Sequence, residues 1–402
     1  GMKDGAVTHT RQVLGKVAYT ETLKKCSEIA GWEVGSSRVR GSVRKDIKGS
    51  QIAEPYIPGK EFKSEEAMKL CRDRFKYGRG VGTGWYGIGR CATIDKAGAF
   101  VEIDDGGTAM ILTGVSEIGE GILTVLTQIA ADELGMYPED ITIGDNDTAR
   151  VPEAAHVGAS RQTYMIGNAV CNACRDVKKK FIREMAAYWN IDSSSICMKN
   201  RRIYVEGNAQ YNLSLKEAVD ICKKVRGIVP LGSGTYTAHH EGLDPVDGRG
   251  NPWQAYVFGT QIAEVAVDTF TGEVHVLGIW AAHDVGRVIN PRGVEGQIEG
   301  GAVQSMGQTI MENYVLSEGV PTNKNFAKYI LPTSVDVPEI HSYLVEERDP
   351  FSPVGAKGIG EPAPLPTAPA IVNAIYDAVG VRITSLPAIP EKILNEISKM
   401  KN

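Results

Sequence analysis

YGRGVGTGWYGIGRCATIDKAGAFVEIDDGGTAMILTG, residues 77–114, decides what kind of fold this chain can have. Gly82, Gly84 and Gly87 satisfy G-x-G-x-x-G, the spacing of a dinucleotide-binding turn, but such a turn must follow a strand and open a helix. Here no helix pattern follows. Ala99, Val101 and Ile103 recur at period two, Asp105-Gly106 makes a turn, and Ala109 and Ile111 resume the alternation. The stretch therefore predicts a hairpin preceded by a glycine-rich strand, where another backbone approaches closely.

Working outward, GVSEIGEG (114–121) leads into ILTVLTQIAADELG, where Ile122, Val125, Leu126, Ile129 and Leu134 share one helical face and Gly135 ends it. GNAVCNACRDVKKKFIREMAAYW (167–189) carries Val170, Cys174, Phe181 and Ile182 at helical spacing. Ser214 and Glu217 form a capping box for a further helix. FGTQIAEVAVDTFTGEVHVLGIWAAHDVG (258–286) is a second hairpin, turning at Thr271-Gly272. PRGVEGQIEGGAVQSMGQTIMENY (291–314) returns to helix, its small residues allowing tight packing. Hairpin, helix, helix, then hairpin and helix again is the order of an α+β protein with two related lobes, not of alternating βαβ units. Residues 1–75 read as a helical and loop lead-in, 76–230 as the first lobe and 231–402 as the second. In the lead-in, Val17, Leu23 and Ile29 mark one helix closed by Gly31, and a second helix pattern begins at Ser64.

A chain of 402 residues with 42% hydrophobic and 23% charged residues is an ordinary globular protein, large enough for more than one core. Its net charge of -5 and lack of Lys/Arg runs give no footprint for nucleic acid. No apolar stretch reaches the ~18 residues of a membrane span, and the start lacks a signal-peptide layout, so a cytoplasmic location is expected. Seven cysteines without regular spacing suit free thiols. Cys171 and Cys174 form one CxxC, but at i, i+3 in a helix without a second pair they read as core packing. His239-His240-Glu241 and His283-Asp284 lack the second-ligand spacing zinc needs, so no metal-ligating set is expected on this chain.

The chemistry-bearing stretch is PVGAKGIGEPAPLPTAPAIVNAIYDAVG (353–380). Gly355, Gly358 and Gly360 surround one carboxylate, Glu361, and Pro362 fixes the exit. A lone Glu on such a stiff loop, desolvated by apolar neighbours, would be a general base working near neutral pH; the same spacing also suits a surface Glu in a tight turn. Gly119 and Gly121 free backbone N–H groups at a helix start, a place for phosphate or a polar head-group. Gly158, Ala159, Ser160 and Gln162 stand at the mouth of the next helix, and Asn290, Pro291 and Gln297 around the start of the small-residue helix.

Five segments in order, VSEIGEGILTVLTQIAADELG, VPEAAHVGASRQTYMIGNAV, AEVAVDTFTGEV, HDVGRVINPRGVEGQIEGG and GAKGIGEPAP, resemble the xanthine dehydrogenase/aldehyde oxidase family of molybdenum hydroxylases. The resemblance runs from about Gln12 to the end and matches the carboxy-terminal half of the molybdopterin-binding subunit. It implies a two-lobed cofactor-binding α+β domain that holds molybdopterin, free or as its cytosine dinucleotide, with molybdenum. It also implies oxidative hydroxylation of an aldehyde or an N-heterocycle such as a purine or nicotinate. Glu361 matches the catalytic base; Gly119, Glu120 and Gly121 match a loop that hydrogen-bonds the pterin. Gly158, Ala159, Ser160 and Gln162 match the stretch holding the phosphate or nucleotide end, and Gln297 matches a glutamine on the pterin. Two positions depart from the pattern: Glu120 stands where Gln is usual, and Val157 where Thr is common.

Relatives of this type carry a further half upstream, with iron–sulfur and flavin subunits to take electrons away; no iron–sulfur or flavin site is expected here. Gly1 ahead of Met2 reads as a cloning remnant before an initiator, favouring a natural split subunit, as in nicotinate dehydrogenase, over a piece of a longer chain. Alone it is expected to bind the cofactor poorly. The rival expectations are a non-catalytic assembly subunit, for which Glu120 and Val157 are the hints, and a carbon monoxide dehydrogenase-like member.

Overall fold

Glycine spacing governs how helices lie on sheets in this protein, whose computed structural model describes residues 2–32, 73–91, 94–239, 241–352 and 354–401. The helix pattern beginning at Ser64 lies outside those residues. The chain opens with helix α1 (Tyr19–Ile29), followed after the undescribed stretch by the long strand β1 (Phe75–Ile88). The expected hairpin is β2 (Lys96–Ile103) with β3 (Ala109–Leu112), antiparallel with Ile103 opposite Ala109. Helix α2 (Ile122–Leu134) ends, as read, at a left-handed Gly135 with φ 68°. Strand β4 (Ile141–Ile143) then pairs parallel to β3. A loop and a π-helical turn (Gln162–Ile166) run directly into α3 (Gly167–Trp189). A small meander follows, β5 (Ile196–Lys199), β6 (Arg202–Val205) and β7 (Asn208–Ser214), and the Ser214/Glu217 capping box opens α4 (Leu215–Lys224). Strand β8 (Leu231–Thr237) returns to pair with β2, giving a first sheet of order β4-β3-β2-β8.

The second sheet is built on the hairpin of β9 (Ala255–Asp268) and β10 (Val274–Asp284), with left-handed Gly272 in its turn. Helix α5 (Pro291–Ile310) precedes β11 (Glu339–Val345), which lies parallel to β10, and α6 (Thr367–Val379) and α7 (Pro390–Lys401) close the chain. The sheet order is β1-β9-β10-β11. Each sheet thus takes a strand from across the lobe boundary expected near residue 231: β1 joins the second sheet and β8 the first. That exchange fastens the two lobes together and brings their loops to a common face.

Both lobes use one packing device. On β8, a Cβ at Gly232 or Gly234 would run into the backbone carbonyls of Ala173 and Ala169 in α3. On β1, Gly78, Gly80 and Gly82 stand in the same relation to the carbonyls of Ala374, Ala370 and Pro366, the last just before α6. The glycine-rich strand read from sequence is therefore a seat for a helix. Gly80→Ala is expected to cost about 3 kcal/mol, since no rotamer relieves a clash with backbone. Urea denaturation would measure this, and a midpoint unchanged from wild type would contradict the packing.

The core of the first lobe gathers Ile103, Ile111, Leu126, Ile129, Phe181 and Met185, all under 2% exposed. Cys171 and Cys174 lie wholly buried within it, and burial pushes the Cys171 thiol up to about 12, so they pack as the helical spacing implied. Ala263, Val265, Val267, Ile371 and Ile375 form a second core between the other sheet and α6. The face expected of α1 differs. Thr22, Cys26 and Ser27 turn inward, while Leu23 and Ile29 are only half-buried, because Thr22 Oγ1 meets Thr260 Oγ1 of β9 at 3.1 Å. Among the described residues no helix is long and apolar enough to cross a membrane.

Candidate active site

The loops singled out above converge on one cavity of about 450 Å³, within the size range of small-molecule and cofactor sites. Glu120 and Gly121 reach it from the approach to α2; Gly158, Ser160 and Gln162 from the approach to α3. Asn290 and Gln297 come from the first turns of α5, and Gly358, Gly360 and Glu361 from the segment before α6. Gly119 and Ala159 are not on its wall. The Gly119 N–H is turned to Glu117, and the Ala159 carbonyl accepts the Gly89 N–H at 2.9 Å.

Glu361 and Ser160, 201 residues apart, meet directly. The Ser160 N–H and hydroxyl donate to Glu361 Oε2 at 2.5 and 3.0 Å, and the Glu361 N–H donates to Ser160 Oγ at 3.0 Å. The glycines of this segment now have a reason: a Cβ on Gly358 would collide with the Ser160 carbonyl. Upstream, Gly286 bridges Ala356, and Lys357 Nζ reaches the buried Asp284 carboxylate at 2.6 Å. Burial pushes the Asp284 carboxyl up, against the pull of that ammonium.

One expectation needs correcting. Glu361 is exposed, not desolvated; its apolar neighbours Ile359 and Ala363 turn into the core, and the described residues put no cover over the carboxylate. Tyr86 of β1 stands beside it. Burial, then the negative charge and hydrogen bonding of Glu361, push that phenol up to about 12. No sequence feature marked Tyr86, since its partner lies on another element.

The loop before α2 also differs from its sequence reading as an open anion site. Glu117 already fills it, accepting from the N–H groups of Gly119, Gly121 and Leu123 at 2.8, 2.9 and 3.2 Å. Burial opposes its ionisation, but the hydrogen bond with Glu120 and the three backbone donors hold its pKa near 2. Glu120 is driven the other way, raised by burial and by Glu117, while its Oε2 accepts the Ile118 N–H at 2.8 Å. Its Oε1 is buried without a partner among the described residues.

Before α3, Gly158, Ala159 and Ser160 all have positive φ, a left-handed run held by the next residue. Arg161 is wholly buried, bonded to Asp95 Oδ1 at 2.8 Å and to the carbonyls of Ala154, His156 and Lys96. Gln162 donates to the Ser116 carbonyl at 2.9 Å, and its Oε1 is buried without a partner among the described residues. Asn290 caps α5 by accepting the Gly293 N–H at 2.9 Å. Arg161 stood inside the motif that begins at Val151, but only the fold reveals Asp95 opposite it.

His239 lies on a loop, and His240 falls outside the described residues. Among the described residues no group of three or more His, Cys, Asp or Glu could hold a metal ion directly. His283 is wholly buried on β10, and burial pushes its pKa from 6.5 down to about 4. Between those values the unfolded chain binds a proton that the folded chain does not. His283 therefore stabilises fully above about pH 6.5, and roughly 3 kcal/mol is lost as pH falls toward 4. Urea titrations at pH 7 and pH 4.5 should differ less for His283→Leu than for wild type; an identical difference would refute this.

A family model described as molybdopterin cofactor-binding domain matches residues 57–338. A probable xanthine dehydrogenase subunit of Bacillus subtilis (strain 168) is 33% identical over 319 residues, covering 79% of this chain and 41% of that protein. The 6-hydroxypseudooxynicotine dehydrogenase complex subunit gamma of Paenarthrobacter nicotinovorans is 31% identical over 345 residues, covering 82% and 41%. Among solved structures, quinoline 2-oxidoreductase from Pseudomonas putida 86 superposes with a TM-score of 0.78 over 98% of this chain and 48% of its own; at 24% identity that is a likeness of fold. The aldehyde oxidoreductase from Desulfovibrio gigas superposes at 0.69 with 29% identity, over 83% of this chain and 34% of its own. The chain spans less than half the length of each of these proteins.

Proposed function

Since this chain belongs to the molybdopterin cofactor-binding domain family, alongside xanthine dehydrogenase and aldehyde oxidoreductase subunits, we propose that it is one part of a molybdenum hydroxylase in which Glu361 is the general base. The substrate class is an aldehyde or an electron-poor N-heterocycle of purine or nicotinate type. The observation that carries this reading is the convergence of Glu361, Ser160, Glu120, Gln162 and Gln297 on one cavity.

The residues present suit a pterin. Two buried oxygens, Gln162 Oε1 and Glu120 Oε1, lack partners among the described residues, and a Cβ on Gly121 would meet none of those residues within 4 Å, leaving room for a flat polar ring. Gln162, Gln297 and the Glu120–Gly121 turn would hold molybdopterin, in its simple or cytosine dinucleotide form, with Gly158 and Ser160 toward its phosphate end. Gly119 and Ala159 would shape those loops from behind. Glu120 replaces an amide with an acid, whose pKa burial and Glu117 push up.

When bound, the cofactor supplies a molybdenum centre that takes up the two electrons released as a substrate C–H and water become C–OH. The chain's own residues manage the proton. Ser160 fixes Oε2 of Glu361 with two donors, which steadies the carboxylate that would accept a proton from the attacking oxygen. Covering that exposed carboxylate, and thereby excluding water, falls to the remaining half of the molybdenum subunit. Iron–sulfur and flavin subunits would carry the electrons away; that one relative is a subunit of a dehydrogenase complex supports partner subunits in general.

Co-expression with the rest of the subunit should give about one molybdenum per chain by metal analysis. An intact complex containing no molybdenum would mean an assembly subunit instead.

A further inference from the structure

Gln261 sits at the centre of β9, wholly buried, between Gly82 of β1 and Ala281 of β10. An amide in such a place must satisfy both ends within the protein. Its Nε2 donates to the carbonyl of Ala363, two residues past Glu361, at 2.9 Å. Its Oε1 accepts the hydroxyl of Thr367, the first residue of α6, at 2.6 Å. The second amide hydrogen points at His283 Nε2, 3.1 Å away.

This arrangement has one consistent assignment. A flipped amide would set two acceptors against each other at Ala363, so Nε2 lies there and His283 Nε2 must be the acceptor. The imidazole is then neutral with its proton on Nδ1, in keeping with burial holding its pKa near 4. Nδ1 itself meets no partner among the described residues, so the amide contact alone sets the tautomer. Ala363 is gripped on both sides, since its own N–H donates to the Ile359 carbonyl at 3.3 Å. The turn carrying Glu361 is therefore tied upstream at Lys357 and downstream at Ala363 and Thr367, and Gln261 makes both downstream bonds.

We infer that Gln261, oriented by His283 and Thr367, is the positioning residue that aims the Glu361 turn into the cavity from the core side, as Ser160 does from the cavity side. This rests on Glu361 being the base, and its test has a part that does not.

Thr367→Val removes the hydroxyl at nearly constant volume, Gln261→Met removes the amide, and Thr367→Ser restores the bond. In the chain as it stands, hydrogen exchange of the Glu361 and Ala363 amides, which donate to Ser160 Oγ and the Ile359 carbonyl, should quicken about tenfold in the first two variants and return in Thr367→Ser. Exchange in α3 should stay unchanged. In the assembled enzyme kcat should fall about tenfold with KM within about twofold. Unaltered exchange in folded Thr367→Val would overturn the inference, as would faster exchange with kcat intact. Normal turnover in Glu361→Gln would instead remove the base assignment, and the exchange result would still say whether Gln261 holds the turn.

Discussion

In the assembled enzyme, Glu361→Gln is expected to lower turnover by about two to four orders of magnitude while molybdenum content and complex yield stay at wild-type levels. The substitution isolates the proton. Glutamine keeps the volume of the side chain, and its carbonyl oxygen can still accept from the Ser160 N–H and hydroxyl that hold Glu361 Oε2. What it cannot do is take up a proton from the attacking oxygen. A loss of that size corresponds to about 3–5 kcal/mol of transition-state stabilisation, which a change in loop position alone would not readily supply without also disturbing KM. Steady-state kinetics beside metal analysis make the check. A variant with near-normal kcat would show that the proton goes elsewhere, and Tyr86, held protonated beside Glu361, would not replace it as a base.

The largest expected loss of stability is at Asp95. Its carboxylate and the Arg161 guanidinium both have 0% side-chain exposure, with Arg161 Nη2 2.7 Å from Asp95 Oδ1. Asp95→Ala leaves the guanidinium buried among carbonyl groups with no counter-charge, and should cost about 3–5 kcal/mol in urea denaturation. The pair itself is not the source of net stability; the uncompensated charge is what costs. The double variant Asp95→Ala/Arg161→Met should accordingly recover a good part of the loss. Arg161 follows Ser160 directly, so the single variant should also loosen the left-handed run that presents Ser160 to Glu361. A cost below about 1 kcal/mol would mean that water reaches the pair.

Local chemistry accounts for much of what could be read in advance. Period-two alternation through Ala99, Val101 and Ile103 gave β2, helical periodicity from Ile122 gave α2, and Gly135 marked its end. Each depends on neighbours within a turn or two of chain. The five ordered segments named the family and the loops, and seven of the nine residues drawn from them line the cavity. What misled was competition for groups. The free N–H donors expected at Gly119 and Gly121 are taken by Glu117, two and four residues away, because a short loop with positive φ at both glycines folds that carboxylate onto the helix start. The desolvation expected of Glu361 depended on which of its neighbours face it, and they face the core.

By itself, then, the sequence determined the two long hairpins, the main helices, a glycine-rich strand that another backbone approaches and the membership of the loops, since these follow from periodicity, turn chemistry and steric size along a few residues. Only the tertiary structure decided which polar groups are already satisfied and which remain free. Ser160 on Glu361, Asp95 on Arg161 and Gln261 on Ala363 are partners 66 to 201 residues apart. Burial and hydrogen bonding are settled by whatever the fold brings alongside: Asp95 meets Arg161 within the first lobe, Gln261 meets Ala363 within the second, and Ser160 meets Glu361 between the two.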